Sequence, residues 1–182
     1  MRKEIEVKAK VANLDTVAQK LLKLGCALSE PLTQNDTIFV DDKYGPFEKF
    51  QPDKNLLRIR ESQGKFLFTL KQPKSNQLDC IERETEILNP QEMKEVLLLM
   101  GYHEAVQVHK VRIKTNYNNW EICLDKVEGL GSFIEVEKIC EDVDAEKIQN
   151  ELFAFLQTLD IKPEDRIYEG YDTLVYLSTK TT

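Results

Sequence analysis

Glu4-Ile5-Glu6-Val7-Lys8 puts two carboxylates and an ammonium at every second position. In an extended chain such residues share one face, roughly 6–7 Å apart at ~3.3 Å rise per residue. Two carboxylates at that spacing can bracket one divalent cation or support two neighbouring ones. The same period recurs in Arg58-Ile59-Arg60, Thr69-Leu70-Lys71, Glu84-Thr85-Glu86, Lys110-Val111-Arg112 and Glu135-Val136-Glu137, with Cys123-Leu124-Asp125 a weaker case. A single segment of this kind is an ordinary solvated strand face with cross-strand ion pairs. Seven of them suggest a sheet face built to hold charge.

If those faces converge, Lys8, Arg58, Arg60, Lys71, Lys110 and Arg112 form a cationic wall, with Lys114 a further candidate. The planar fork of arginine suits phosphate oxygens, so such a wall can hold a polyphosphate chain. The acidic members, Glu4, Glu6, Glu84, Glu86, Asp125, Glu135 and Glu137, would repel that ligand. Mg2+ or Mn2+ resolves the conflict, because each takes one or two carboxylates together with phosphate oxygens. Glu84 and Glu86 read equally well as structural partners of the arginines. Nucleophilic catalysis by a side chain finds no support: there is no Gly-x-Ser-x-Gly, no Walker-type loop and no cysteine with an activating histidine. In an enzyme of this kind, metals and cations position the substrate while water or a substrate hydroxyl attacks. A binding module without turnover and a purely structural ion-pair lining use the same residues.

These faces need strands, and the strands need a core. Their alternate positions are apolar: Ile5 and Val7, Leu57 and Ile59, Phe66, Phe68 and Leu70, Val111 and Ile113, Trp120, Ile122 and Leu124, Ile134 and Val136. His109 shares the parity of that apolar face, which assigns it to packing. Three stretches carry helical periodicity. The first is Leu14, Val17, Ala18, Leu21 and Leu22, capped by Asn13 or Asp15 and stopped by Gly25. The second starts at Asn89-Pro90, continues through Met93, Val96, Leu97 and Met100, and stops at Gly101. The third runs from about Asp144 through Ile148, Leu152, Phe155, Leu156 and Leu159.

Each helix follows a Glu-x-Glu strand, and a strand is expected after each, at Asp36–Val40, Gln107–Thr115 and Tyr171–Leu177, which gives a weak internal repeat. Asp41 to Asn55, with Gly45, Pro46 and Pro52, reads as a flap or long hairpin loop. Gly129-Leu130-Gly131 marks a turn between strands. Alternating rather than wholly apolar strands favour an antiparallel sheet. Closing it into a barrel would remove its edges and gather the charges in a lumen.

The bulk properties fit one domain spanning residues 1–182: 41% hydrophobic, 31% charged, with a net charge of −7. That acidity argues against a general nucleic-acid surface, but local clustering still sets the field in a cleft. No apolar run approaches the roughly 20 residues that span a bilayer. The chain enters a strand pattern directly after Met1, so no signal peptide is expected. Cys26, Cys80, Cys123 and Cys140 then read as reduced thiols of a cytoplasmic protein. His103 and His109, the only histidines, lack zinc-ligand spacing to any of them. A homodimer is common by base rate, and nothing in the sequence marks an interface.

The order of motifs resembles the CYTH superfamily, the triphosphate tunnel metalloenzymes, which include class IV adenylyl cyclases, thiamine triphosphatases and inorganic triphosphatases. The resemblance rests on Glu4-x-Glu6-x-Lys8, Gln34-x-Asp36-x-x-Phe39, Leu57-Arg58-Ile59-Arg60, Thr69-Leu70-Lys71, Arg83-Glu84-x-Glu86, Lys110-x-Arg112 and the block Asp125–Glu137. It covers nearly the whole chain, and the Asp125–Glu137 block looks particularly like the cyclase branch. It implies an α+β fold, a closed antiparallel eight-stranded β-barrel with helices packed outside. Glu4, Glu6 and Glu135 match family metal positions, with Asp125 and Glu137 as further acidic members. Lys8, Arg58, Arg60, Lys71, Lys110 and Arg112 match triphosphate-binding positions, and Lys8, Arg58 and Glu6 are the expected catalytic residues. Two departures stand out: Asp36-Thr37-Ile38-Phe39 where Asp-x-Tyr-Phe is common, and Gly170-Tyr171 where a Ser-Tyr pair is common.

Overall fold

The computed structural model describes residues 2–141 and 143–180; Met1 lies outside them. Along the chain come β1 (Arg2–Lys10), α1 (Leu14–Lys23), β2 (Leu32–Asp41), β3 (Leu56–Ser62), β4 (Lys65–Pro73), β5 (Asp79–Ile87) and α2 (Pro90–Leu99). There follow β6 (Tyr102–Tyr117), β7 (Trp120–Val127), β8 (Gly131–Glu141), α3 (Ala145–Thr158), β9 (Arg166–Ile167) and α4 (Tyr171–Lys180). The strands order as β5-β4-β3-β2-β6-β7-β8-β1, every neighbouring pair antiparallel, and a β1–β5 pairing closes the ring. This is the closed eight-stranded antiparallel barrel expected from the alternating strands, with one extra strand and four α-helices among the described residues.

Closure is shared along the edge of β1. Glu4 and Ile5 pair with Cys80 and Asp79 of β5, while Lys8 and Ala9 pair with Ile167 and Arg166 of β9. Between these two stretches the Glu6 N–H donates to the Leu78 carbonyl at 2.9 Å. The wall therefore stays hydrogen-bonded where β5 diverges.

The core lies outside the barrel, under the helices. Ile5, Val7, Ile122, Leu124, Ile134 and Val136 bury against Leu152, Phe155 and Leu156 of α3 and Val17 and Leu21 of α1. A second cluster places Phe39, Leu57, Ile59 and Tyr102 beneath Leu97 of α2. Because each strand gives its apolar parity to these clusters, the charged parity must face the lumen. The helices start where their caps dictate. Asn13 accepts from Thr16 N–H, Asn89 from Glu92 N–H ahead of Pro90, and Asp144 from the Glu146 and Lys147 N–H groups.

The strand–helix–strand repeat is present three times, as β1-α1-β2, β5-α2-β6 and β8-α3-β9. Its third copy ends differently from expectation. The strand read at Tyr171–Leu177 is the helix α4, and the strand that follows α3 is the two-residue β9. Thr173 and Val175 give that segment a β-like composition, but Tyr171, Leu174 and Val175 recur at i, i+3 and i+4 and pack together against Phe133 and Val108. His109 does face outward with the apolar parity, yet it is exposed, and its Nδ1 lies 3.0 Å from Asn35 Oδ1 instead of packing. The Gly129–Gly131 turn joins β7 to β8 with φ of 74° and 103° at its glycines, the left-handed region such a turn needs.

Candidate functional site

The lumen is a cavity of about 190 Å3, and all six expected cations line it: Lys8 from β1, Arg58 and Arg60 from β3, Lys71 from β4, Lys110 and Arg112 from β6. Each stands at the inward parity of a strand whose other face holds the core. Glu4, Glu6, Glu135 and Glu137 line the same space. Asp125, fully buried, joins it through Arg112.

Ion pairs organise this lining. Arg112 grips Asp125 with both ends of its fork, at 2.7 and 2.5 Å, and also bonds Glu135. Arg60 holds Asp36 in the same bidentate way, at 2.6 and 2.8 Å. Lys8 lies 3.1 Å from Glu135 and 3.5 Å from Glu6, donates to the Glu169 carbonyl, and sits 4.1 Å from the centre of the Tyr171 ring. Tyr171 in turn donates its hydroxyl to Asp125 at 2.9 Å. Arg58 pairs with Glu82 at 3.1 Å and Glu84 at 3.3 Å, and Lys71 meets Glu82 at 2.8 Å.

The charges respond to these partners. Burial alone would raise Glu135, but Arg112 and Lys8 overcome it and hold the carboxyl well below its ordinary range. Burial would likewise raise Asp36, and the Arg60 hydrogen bonds with the charges of Arg58 and Lys110 drive it down instead. Glu4 goes the other way: burial and a hydrogen bond with Glu82 push it up to about 9 against the pull of Lys71. Burial and the charges of Glu121 and Glu6 push Glu137 up to about 7. Lys110 falls to about 7, because it is buried beside Arg112 and Arg60.

The structure thus gathers every expected site residue, and it divides the acidic candidates. Glu84 does pair with Arg58, whereas Glu86 reaches the exposed Lys65, at 3.7 Å. Asp36, Glu82 and Glu121 line the cavity as well, although the sequence reading did not number them among the site residues. The signal was present, since each extends an alternating run: Gln34-x-Asp36, Glu82-x-Glu84 and Glu121-x-Cys123-x-Asp125. Tyr171 belongs to no alternating run, and only the Gly170-Tyr171 pair within the family resemblance marks it. Lys114, the further cationic candidate, bonds Glu121 at 2.5 Å.

A barrel whose lumen alternates arginine, lysine and carboxylate has counterparts among known proteins. Residues 2–171 match the CYTH domain family. The chain belongs to the CYTH family. A relative from Methanocaldococcus jannaschii, named "Putative adenylate cyclase", is 29% identical over 171 residues, covering 92% of this chain and 95% of that one. A Pyrococcus horikoshii OT3 structure superposes with a TM-score of 0.79 at 27% identity, covering 94% of this chain and 99% of the other. A Hippeastrum structure, described as a "Putative adenylyl cyclase" that "reveals a dominant" triphosphatase activity, has a TM-score of 0.60 at 20% identity, over 93% and 91% of the two chains. At that identity it speaks for the fold alone.

The donor set of this CYTH lumen suits a hard divalent cation. Its free acidic groups are all carboxylate oxygens, the ligands Mg2+ and Mn2+ prefer. Glu121, Glu137 and Glu6 stand directly opposite one another on β7, β8 and β1. Like charges in such a row repel, and this repulsion adds to the burial that raises Glu137. Among the described residues no three acidic, histidine or cysteine side chains are gathered at ligating distance, since several lean on the lumen's own cations.

Proposed function

We propose that this chain is a Mg2+- or Mn2+-dependent enzyme acting on a triphosphate in its lumen, of the adenylate cyclase type, converting ATP to cyclic AMP and pyrophosphate. The observation that carries this reading is the convergence of six cationic side chains from four strands on one enclosed cavity. An inorganic or organic triphosphate matches both the number and the enclosure of those charges.

In this reading Lys8, Arg58, Arg60, Lys71, Lys110 and Arg112 bind the phosphate oxygens and stabilise charge on the departing pyrophosphate. Arg58 and Lys71 exchange their carboxylate partners Glu82 and Glu84 for phosphate oxygens as the chain enters. Arg112 and Arg60 stay anchored by Asp125 and Asp36, which fixes their forks before the substrate arrives. Glu4, Glu6 and Glu137, with Glu135 beside Lys8, would hold the metal, which supplies Lewis-acid polarisation of a phosphoryl oxygen. The ribose 3′-hydroxyl oxygen forms the new bond to the α-phosphorus, the bond from that phosphorus to the bridging oxygen breaks, and the hydroxyl proton is released.

A second reading keeps the site and lets water attack the terminal phosphorus of tripolyphosphate, thiamine triphosphate or a nucleoside triphosphate. One observation favours it: about 190 Å3 is below the roughly 300–1,000 Å3 usual for organic ligands, and suits a bare phosphate chain. The Hippeastrum fold neighbour, with its described triphosphatase activity, illustrates the same alternative. Incubating the protein with ATP and either metal, and identifying the products by 31P NMR, separates the readings. Cyclic AMP with pyrophosphate supports the first, and orthophosphate without cyclic product supports the second. Unchanged ATP and unchanged tripolyphosphate overturn both.

A further inference from the structure

The buried face of α3 is apolar at Ile148, Leu152, Phe155 and Leu156, with Gln149 set among them at 6% exposure. An amide in such a face is unfavourable unless both its ends are hydrogen-bonded. Here both ends are satisfied. Gln149 Nε2 donates to the Glu6 carbonyl at 3.1 Å and to Asn76 Oδ1 at 3.1 Å. Gln149 Oε1 accepts from Asn76 Nδ2 at 3.0 Å, so the two amides grip each other.

These bonds fall where the seam of the barrel lacks a rung. Glu4 faces Cys80 of β5, and Lys8 faces Ile167 of β9, but Glu6 lies between the two strands. A regular antiparallel ladder exchanges two bonds at such a residue. The first is present, from the Glu6 N–H to the Leu78 carbonyl at 2.9 Å. The second is diverted: the Leu78 N–H donates to Asn76 Oδ1 at 2.9 Å. Gln149 supplies the donor that Glu6 would otherwise take from Leu78, so a side chain of α3 completes the wall from outside.

The rung matters because of what Glu6 carries. Its side chain lines the lumen with Glu4 and Lys8, and Glu137 stands directly opposite on β8. Like charges facing each other across two strands push them apart. At this point β1 has no strand on its other side to hold it, and the Gln149 amide is what grips the Glu6 carbonyl there.

We propose that Gln149 is a positioning residue for the divalent cation: through the Glu6 carbonyl it fixes the stretch of β1 that aims the Glu6 carboxylate at the metal. It touches neither metal nor substrate. Outer partners that orient a metal ligand contribute about 10–100-fold in metal affinity. An apolar side chain of similar length would fill the same place under α3, yet leave the Glu6 carbonyl and the Asn76 amide without their partner. The inference rests on the metal reading above, and it gives Gln149 no part in holding the phosphates.

The test titrates Mn2+ alone into wild type, Gln149→Met, Asn76→Ala and Leu152→Ala, with the free ion read by electron paramagnetic resonance. Tripolyphosphate without metal is titrated into the same proteins by calorimetry, and thermal melts check folding. Gln149→Met keeps the length and loses the donor. Asn76→Ala, in the half-buried loop before β5, unclamps the amide and carries the test if Gln149→Met does not fold. Leu152→Ala, three residues further along the same face of α3, removes packing and leaves the Glu6 carbonyl bonded. Mn2+ affinity falls about tenfold or more in Gln149→Met, falls in Asn76→Ala, and holds within about twofold in Leu152→Ala. Tripolyphosphate affinity holds within about twofold in Gln149→Met and Asn76→Ala, because its cations are untouched. Unchanged Mn2+ affinity in folded Gln149→Met, or in Asn76→Ala where that protein does not fold, overturns the proposal. An equal loss of Mn2+ affinity in Leu152→Ala, or an equal loss of both ligands, also overturns it, because general loosening would then suffice. Absence of Mn2+ binding in the wild type overturns the metal reading itself, and this inference with it.

Discussion

Replacing Lys110 by arginine should change how many protons the protein takes up when a polyanion binds. The Lys110 side chain is 4% exposed, and its nearest carboxylate, Asp36, is 3.8 Å away. Burial, Arg112 and Arg60 outweigh that partner and hold it at about 7. A phosphate oxygen at about 4 Å, in an effective dielectric of about 20, contributes about 4 kcal/mol. That equals about 3 pK units and returns Lys110 close to the ordinary lysine range. At pH 8 the free protein then carries Lys110 mostly neutral and the complex carries it charged, an uptake of about 0.9 proton. At pH 6 both are charged and the uptake falls to about 0.1. Since the complex holds the extra proton, affinity is greatest below pH 7 and weakens by up to about tenfold per pH unit above it.

Calorimetry of tripolyphosphate binding in two buffers of different ionisation enthalpy counts the protons. Arginine at position 110 stays charged throughout, so the difference between wild type and Lys110→Arg isolates this residue from protons exchanged by the ligand or the carboxylates. A difference near 0.9 at pH 8 supports the reasoning. The same proton count in both proteins refutes it.

Other expectations follow from the ion pairs and caps. Arg112→Met leaves Asp125 and Glu135 buried without their guanidinium and should destabilise the fold by about 3–5 kcal/mol, read from urea denaturation. Asn89→Ala removes the cap of α2 and should cost about 1 kcal/mol with an unchanged denaturant slope. Leu152→Ala, in the core between α3 and the barrel, should cost about 2–5 kcal/mol. Glu6→Gln should lower turnover on the order of 100-fold while metal-free tripolyphosphate still binds.

The barrel was legible because its strands alternate so strictly. Period two fixes which face each residue takes, and with a helix on the outside only one face can be apolar. The pairing partners were less visible. Whether Arg58 meets Glu82, Glu84 or Glu86 depends on register between β3, β4 and β5, and sequence spacing does not encode register. Glu84 and Glu86 carry the sequence motif, yet it is Glu82 that pairs with both Arg58 and Lys71. Helix α4 was hidden by Thr173 and Val175, whose β-branched side chains suit strands until tertiary packing of Tyr171 and Leu174 decides otherwise. The flap was legible as a loop from Gly45, Pro46 and Pro52, but the contact between Phe47 and Tyr176 was not.

The central claim is that the lumen holds a triphosphate on its cationic wall. Titration of tripolyphosphate with Mg2+ into wild type and Arg58→Ala, followed by calorimetry and thermal melting, tests it most directly. Saturable one-to-one binding with a raised Tm in the wild type, and loss of both in Arg58→Ala, is the predicted result. No heat and no shift in the wild type, or the same weak response in both proteins, would contradict it.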